Sequence, residues 1–242
     1  MPYWSNDLKR FNFQQRTCST FIPQETNPTR CVCNRYLTAH DNVQTDEKTW
    51  NLQMHTKTKT TKCFGTLVQS NSPYLRCDIE TDLDALCLLL FGVWNIPVPG
   101  LIMRMISDVS STLDVQLEKE FLKGILAAAV ASDAWIITSG YKAEDVSQLI
   151  GEIVYKSRIR NPEINFTAIA IGKWGNIQDC RTLENSNKES SSGNNEISRR
   201  HKLELNQTHY IFFDDGTLNT MDTGEFASQL TLKISRGAHR RS

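Results

Sequence analysis

Between the helical stretch Leu117 to Ala131 and a second apolar-periodic stretch beginning at Val146, the chain carries the run Ala134-Trp135-Ile136-Ile137-Thr138-Ser139-Gly140. The run is short, apolar and closed by glycine, so it reads as a buried strand followed by a turn. Helix, strand, helix in that order confines the chain to α/β folds, in which parallel strands are covered on both faces. The turn after such a strand aims backbone N–H groups at an anionic ligand, so Ser139 and Gly140, with Lys142 close behind, are the first binding candidates. Their alternative role is an ordinary strand-to-helix turn that needs small residues, with Lys142 solvated.

The flanking segments keep the same alternation. Phe64 to Val68 reads as a short strand, and Thr81-Asp82-Leu83-Asp84 reads as a capping box before Leu83, Leu86, Cys87, Leu90 and Trp94 at helical spacing. Leu101 to Ile106 is expected as a buried strand. Leu117, Phe121, Ile125 and Ala129 form a stripe on a helix, and Val146, Leu149, Ile150, Ile153 and Val154 form another. Asn165 to Ile171 and Tyr210 to Phe213 supply two further strands. The expected fold class is thus α/β, a mostly parallel sheet with helices on both faces. Residues 1–62, polar and interrupted by Pro23 and Pro28, are expected to be an irregular N-terminal segment before the α/β domain of residues 63–234. Residues 184–207 read as a flexible loop and 235–242 as a basic tail.

Charge and cysteine content remove several function classes. With 27 basic and 27 acidic residues in 242, the chain has no net positive field to hold nucleic acid or an anionic membrane. The longest apolar stretch, Leu86 to Trp94, is far short of the ~20 residues that cross a bilayer, so no transmembrane segment is expected. Residues Met1 to Arg10 hold charges and no apolar centre, so no secretory signal is expected either. Seven cysteines in a chain of this length do not suggest a disulfide framework and suit a reducing compartment.

Four residue groups bear on chemistry. Asp214, Asp215 and Gly216 follow a strand, where carboxylates accept ribose hydroxyls or hold a cation, or else form a turn with solvated aspartates. Trp174 either stacks a base or packs under the loop that follows it. Cys18, Cys31, Cys33 and His40 offer zinc ligands, but one residue between Cys31 and Cys33 is fewer than the usual two to four, and the expectation is ordinary thiols with no metal. The basic residues Lys233, Arg236, His239, Arg240 and Arg241 would touch acidic lipid or a neighbouring subunit, or be solvated. No Ser/His/Asp, Cys/His or paired-carboxylate set stands out, so no enzyme and no cofactor are expected.

Several separated segments, Cys31-Val32-Cys33-Asn34-Arg35, Phe64-Gly65-Thr66, Trp135-Ile136-Ile137-Thr138, Ile171-Gly172-Lys173-Trp174-Gly175 and Phe213-Asp214-Asp215-Gly216-Thr217, occur in an order that resembles the N-terminal cytosolic region of melastatin-type transient receptor potential (TRPM) cation channels. The resemblance spans roughly Arg30 to Ile234. It implies a domain of the SLOG superfamily with a Rossmann-like α/β fold, and a much longer family architecture with helical repeats, a six-helix pore unit and a coiled coil. On that resemblance the partners are channel subunits, tetrameric in the family, and the ligand class is a nucleotide. The chain itself would then be a fragment, a short isoform or a diverged product, acting as a cytosolic regulatory and assembly domain of a calcium-permeable channel. The alternative is a standalone nucleotide-binding protein of the SLOG superfamily.

The chain departs from the family at the phosphate turns. Ser107-Asp108 and Ser139-Gly140 stand where the family usually has two glycines, which puts side chains where a phosphate needs close backbone approach. The Pro-Gly-Gly-rich phosphate loop of the hydrolytic relatives is also missing.

Overall fold

The computed structural model describes residues 4–41, 49–106, 115–140, 146–160, 166–178, 183 and 201–238. Its centre is a six-stranded sheet in the order β3-β4-β8-β7-β6-β5, built from Phe64–Thr66 (β3), Pro73–Asp78 (β4), Leu101–Met105 (β5), Ala134–Ser139 (β6), Thr167–Lys173 (β7) and His209–Asp214 (β8). Only the edge strand β3 runs antiparallel to its neighbour. Helices α4 (Val115–Ala131) and α5 (Val146–Arg160) connect β5 to β6 and β6 to β7, as parallel pairing requires.

Strand side chains alternate between the two faces, and the layers follow from that period of two. Trp135 and Ile137 join Ile169, Ile171, Ile211, Phe213, Leu75 and Cys77 in the core on one face. That core is covered by α1 (Ser5–Phe11), α3 (Leu83–Leu88) and α6 (Glu225–Ala238), which contribute Leu8, Leu86 and Leu230. Ala134 and Ile136 point the other way and pack with Ala168 against Ile125 and Ala129 of α4 and Ile150, Ile153 and Val154 of α5. The expected α/β, Rossmann-like fold with a mostly parallel sheet is therefore present.

Several local expectations change. Residues 1–62 are less irregular than their polarity suggests: they contain α1, β1 (Gln14–Cys18), α2 (Leu52–His55) and β2 (Thr56–Thr60). Strands β1 and β2 pair antiparallel outside the main sheet. The Thr/Lys sequence of β2 is exposed from Lys57 onward, so no hydrophobic alternation marks it, and its backbone pairing with β1 makes it a strand. Helix α1 is anchored by Trp4, whose ring lies 6.0 Å from both Phe64 and Trp94.

The helix after Thr81 is capped by Asp82, whose side chain accepts from the Asp84 amide at 3.0 Å, and it passes at Leu89–Val93 into a π turn. On α4 the stripe breaks up, because a four-residue repeat drifts about 40° per step from a 3.6-residue turn. Ile125 and Ala129 are buried and Phe121 is exposed. Two elements carry no expectation at all: β4, and helix α6, in which Phe226, Ala227, Leu230 and Ile234 are buried at helical spacing. Lys233 and Arg236, read from the sequence as part of a basic patch that touches acidic lipid or a neighbouring subunit or is solvated, belong to α6; Arg236 is exposed and Lys233 pairs with Asp84 at 2.6 Å. His201 to Gln207, expected in a flexible loop, instead packs Leu203 and Leu205 against Tyr210 and Trp174 and buries Gln207.

Candidate functional site

Parallel register brings the carboxyl ends of β4, β8 and β7 together. Asp78 lies opposite Asp214, and Lys173 lies opposite Phe213. Two carboxylates on adjacent strands repel unless cations are supplied, and the fold supplies them. Arg16, reaching in from β1, grips Asp78 with Nε to Oδ2 at 2.7 Å and Nη2 to Oδ1 at 3.0 Å, and also donates to Glu80 at 2.5 Å and to the Thr56 hydroxyl at 2.8 Å. Arg76 donates through Nε to Asp214 Oδ2 at 2.8 Å and through Nη2 to the same oxygen. Lys173 donates to Asp215 Oδ2 at 2.6 Å and to the Thr220 hydroxyl.

The remaining lone pairs of the two aspartates close their own turn. Asp214 Oδ1 accepts from the Gly216 amide at 2.9 Å, and Asp215 Oδ1 accepts from the Thr217 amide and hydroxyl, each at 2.9 Å. Burial pushes the Asp214 carboxyl above the usual range, and the Arg76 charge pulls it back. Burial pushes the Cys77 thiol up to about 12, which leaves it unreactive between Arg76 and Asp78. Trp174, 2% exposed, stacks its ring on the Arg76 guanidinium at 4.6 Å and touches Phe212.

This end of the sheet is covered by the N-terminal segment. Gly216 has φ +81°, and a Cβ there would approach the Cys18 amide to 3.0 Å. The Leu218 amide donates to the Cys33 carbonyl at 2.9 Å, and Asn34 Nδ2 donates to the Leu218 carbonyl at 2.6 Å. Cys18, Cys31, Cys33 and His40 of that segment come together, with ligand atoms all within 4.8 Å of one another.

Ser139 and Gly140 lie on the other side of β7 from Asp214. The Ser139 hydroxyl accepts from Arg104 Nε at 3.1 Å, and Arg104 Nη2 donates to the Gly224 carbonyl at 3.1 Å. Gly140 sits at φ 137°, a conformation that favours glycine, with its amide on the Ile171 carbonyl at 2.7 Å. Lys142 and the turn Ser107-Asp108 lie outside the described residues. The structure thus brings Trp174, Asp214, Asp215 and Gly216 into one network and places Ser139 and Gly140 in another.

Sequence reasoning missed Arg16, Arg76, Asp78, Lys173 and Arg104. The available signal was charge inside apolar strands, as in Tyr74-Leu75-Arg76-Cys77-Asp78, because buried charges need partners. It also missed a cavity of about 490 Å³ at the opposite, amino end of the strands, lined in part by Trp94, Pro97, Trp135, Arg158, Thr167 and His209. There the His209 and Trp94 rings pack tilted by 31° with centroids 5.3 Å apart, and burial, aided by Arg158, pushes the imidazole down to about 3.

Comparison with known proteins is consistent with this architecture. The family model for the SLOG domain in TRPM matches residues 72–235. "Transient receptor potential cation channel subfamily M member-like 2" of Nematostella vectensis is 27% identical over 85% of the chain and 14% of its own length. Human "Transient receptor potential cation channel subfamily M member 6" is 25% identical over 91% of the chain and 12% of its own length, and Drosophila melanogaster "Transient receptor potential cation channel trpm" is 26% identical over 85% and 11%. The chain therefore spans a small fraction of these curated relatives. With the family model covering more than half of its residues, the chain belongs to the SLOG family found in TRPM channels.

Proposed function

We propose that the chain acts as a noncatalytic cytosolic domain of a TRPM-like, calcium-permeable cation channel, in subunit assembly and ligand-dependent gating. Family membership supplies the channel context. The observation that carries the rest is the mutual neutralisation of Arg16, Asp78, Arg76, Asp214, Lys173 and Asp215, which leaves these charged groups committed to one another and sealed by the N-terminal segment. Such a network suits a rigid packing module better than acid–base chemistry. No helix among the described residues is long and apolar enough to cross a membrane.

The mechanism in a channel is a shift between subunit packings, biased by whatever binds one packing better. Co-expression with an affinity-tagged full-length TRPM subunit tests it. Co-purification of the chain in detergent, with a changed current amplitude, is the expected result. A chain that never co-purifies and leaves the current unchanged would overturn the reading.

A second reading, a standalone nucleotide-binding protein, is favoured by Arg104. Its guanidinium lies beside Ser139 at the carboxyl ends of β5 and β6, next to the left-handed Gly140, a suitable place for a phosphate. Titration with adenosine diphosphate ribose and related nucleotides, followed by thermal unfolding, decides it, since a ligand of the native state raises the melting temperature. A saturable rise abolished by Arg104→Ala supports the nucleotide reading; no rise with any nucleotide removes it.

A further inference from the structure

Cys18 ends β1, Cys31 and Cys33 flank Val32 on the following loop, and His40 caps a short 3-10 turn at Leu37–Ala39. The three thiols are buried, and His40 is 9% exposed. Val32 and Cys33 lie in a tight turn between Cys31 and Asn34, and this turn gathers the Cys31 and Cys33 sulfurs into one space. The segment is held for this: Pro23 bridges Cys31, Arg30 bridges Tyr36, and Asn34 takes a left-handed φ of 67° so that its amide closes on the Cys31 carbonyl at 2.7 Å. The three sulfurs and one ring nitrogen lie within 4.8 Å of one another.

The histidine is oriented as a metal ligand. Its Nδ1 lies 2.9 Å from the Tyr36 carbonyl, which can only accept, so Nδ1 carries the proton. In the neutral ring that leaves the Nε2 lone pair aimed at Cys33 Sγ, 3.2 Å away. A ligating histidine fixed by a backbone carbonyl on its other nitrogen is the usual outer-shell arrangement at zinc. The Ile22 amide donates to Cys31 Sγ at 3.3 Å, a contact that favours a thiolate. Cys18 and Cys31 sulfurs also face the Thr20 carbonyl at 3.4 and 3.7 Å, where their S–H protons reside until an ion displaces them.

A Cys–His pair at 3.2 Å also suits a catalytic nucleophile. Cys33 has no exposed surface, and two further sulfurs share its space, so a substrate has no approach while a bare ion fits. Four ligands at Zn–S of about 2.3 Å and Zn–N of about 2.0 Å place sulfurs about 3.8 Å apart, so the ligand atoms need move by only about 1 Å or less to close on the ion.

We propose that Cys18, Cys31, Cys33 and His40 form a closed structural site for a thiolate-preferring divalent cation, zinc in the cell. Three thiolates and a neutral imidazole complete a tetrahedron with no open position, which makes the ion a staple and not a Lewis-acid catalyst. Binding releases the thiol protons. The ion ties β1 to the Pro23–His40 loop, and through the Leu218 amide on the Cys33 carbonyl it secures the turn that follows β8.

The test uses the full chain purified under reducing conditions from zinc-supplemented medium. Elemental analysis is expected to find one zinc per chain, and exchange to Co2+ is expected to give the intense visible bands of a tetrahedral thiolate site. His40→Cys should keep one equivalent and shift the Co2+ charge-transfer bands toward four sulfurs. Cys33→Ser should lose the metal, while Cys87→Ala, outside the cluster, should keep it. A folded wild-type chain without stoichiometric zinc overturns the proposal, and so does a Cys33→Ser chain that retains the full equivalent. The wild-type measurements decide the matter even if Cys33→Ser fails to fold.

Discussion

The Arg76 guanidinium on β4 donates to Asp214 on the neighbouring strand β8 at 2.8 Å, and the two side chains are 2% and 1% exposed. Arg76 pairs in register with Phe212, two residues before Asp214, so both side chains stand on one face of the sheet. Removing one member leaves a buried charge alone. Arg76→Met is expected to cost about 3–5 kcal/mol of unfolding free energy, and adding Asp214→Leu should recover much of it. Urea unfolding of the two single variants and the double variant measures the coupling; a single-variant cost below about 1 kcal/mol, the range of an exposed pair, would contradict the description.

Arg16 makes the equivalent connection for the N-terminal segment, because Asp78 and Glu80 belong to the sheet and Arg16 to β1. Arg16→Gln strands Asp78 and should cost about 3 kcal/mol. The effect should be local. Hydrogen exchange is expected to quicken in Gln14–Cys18 and Thr56–Thr60 before it changes in β6 and β7; uniform quickening would mean that the segment and the sheet open as one unit.

Gly175 follows β7 directly beneath the turn after β8, and a Cβ there would meet the carbonyl oxygen of Thr217 and the Leu218 backbone. Backbone cannot step aside as a side-chain end can. Gly175→Ala should therefore destabilise by roughly 2 kcal/mol, read as a lower denaturant midpoint with an unchanged slope. A neutral substitution would show that the turn has slack.

His209 gives the fold a pH dependence. Its folded-state value is pushed down to about 3, below the ~6.5 of an unfolded chain, so between those values the unfolded state binds the extra proton. Stability therefore falls as the pH is lowered from about 6.5 towards 3, and His209→Gln should show a shallower loss over that window even if it starts lower. Melting temperatures from pH 7 to pH 4 check this, and parallel profiles for the two chains would refute it.

Much of the sheet was legible because burial on both faces writes itself into composition. Ala134 to Thr138 and Tyr210 to Phe213 are apolar runs closed by turn residues, and both are strands. Strand β4 was not legible, since Arg76 and Asp78 interrupt its apolar run, and those charges are tolerated only because β8 and β1 bring their partners. Helix α6 carried a readable pattern in Phe226, Leu230 and Ile234, overshadowed by the basic residues after it. Strand β2 carried none, because Thr and Lys on both faces leave pairing with β1 as its only cause.

Of the residues singled out for binding, the sequence placed Ser139, Gly140, Asp214, Asp215 and Gly216 at strand ends, because turn residues after apolar runs are local signals. Tertiary structure alone decided what they face. Asp214 meets Arg76 from 138 residues away, and the Leu218 carbonyl meets Asn34 from 184. Cys18 and His40 likewise converge on the Cys31–Cys33 turn only because β1 and the loop after it fold back together. Local chemistry determines which elements form and where they stop; the partner of each buried charge and thiol is set by register and chain crossing, which no short window of sequence contains.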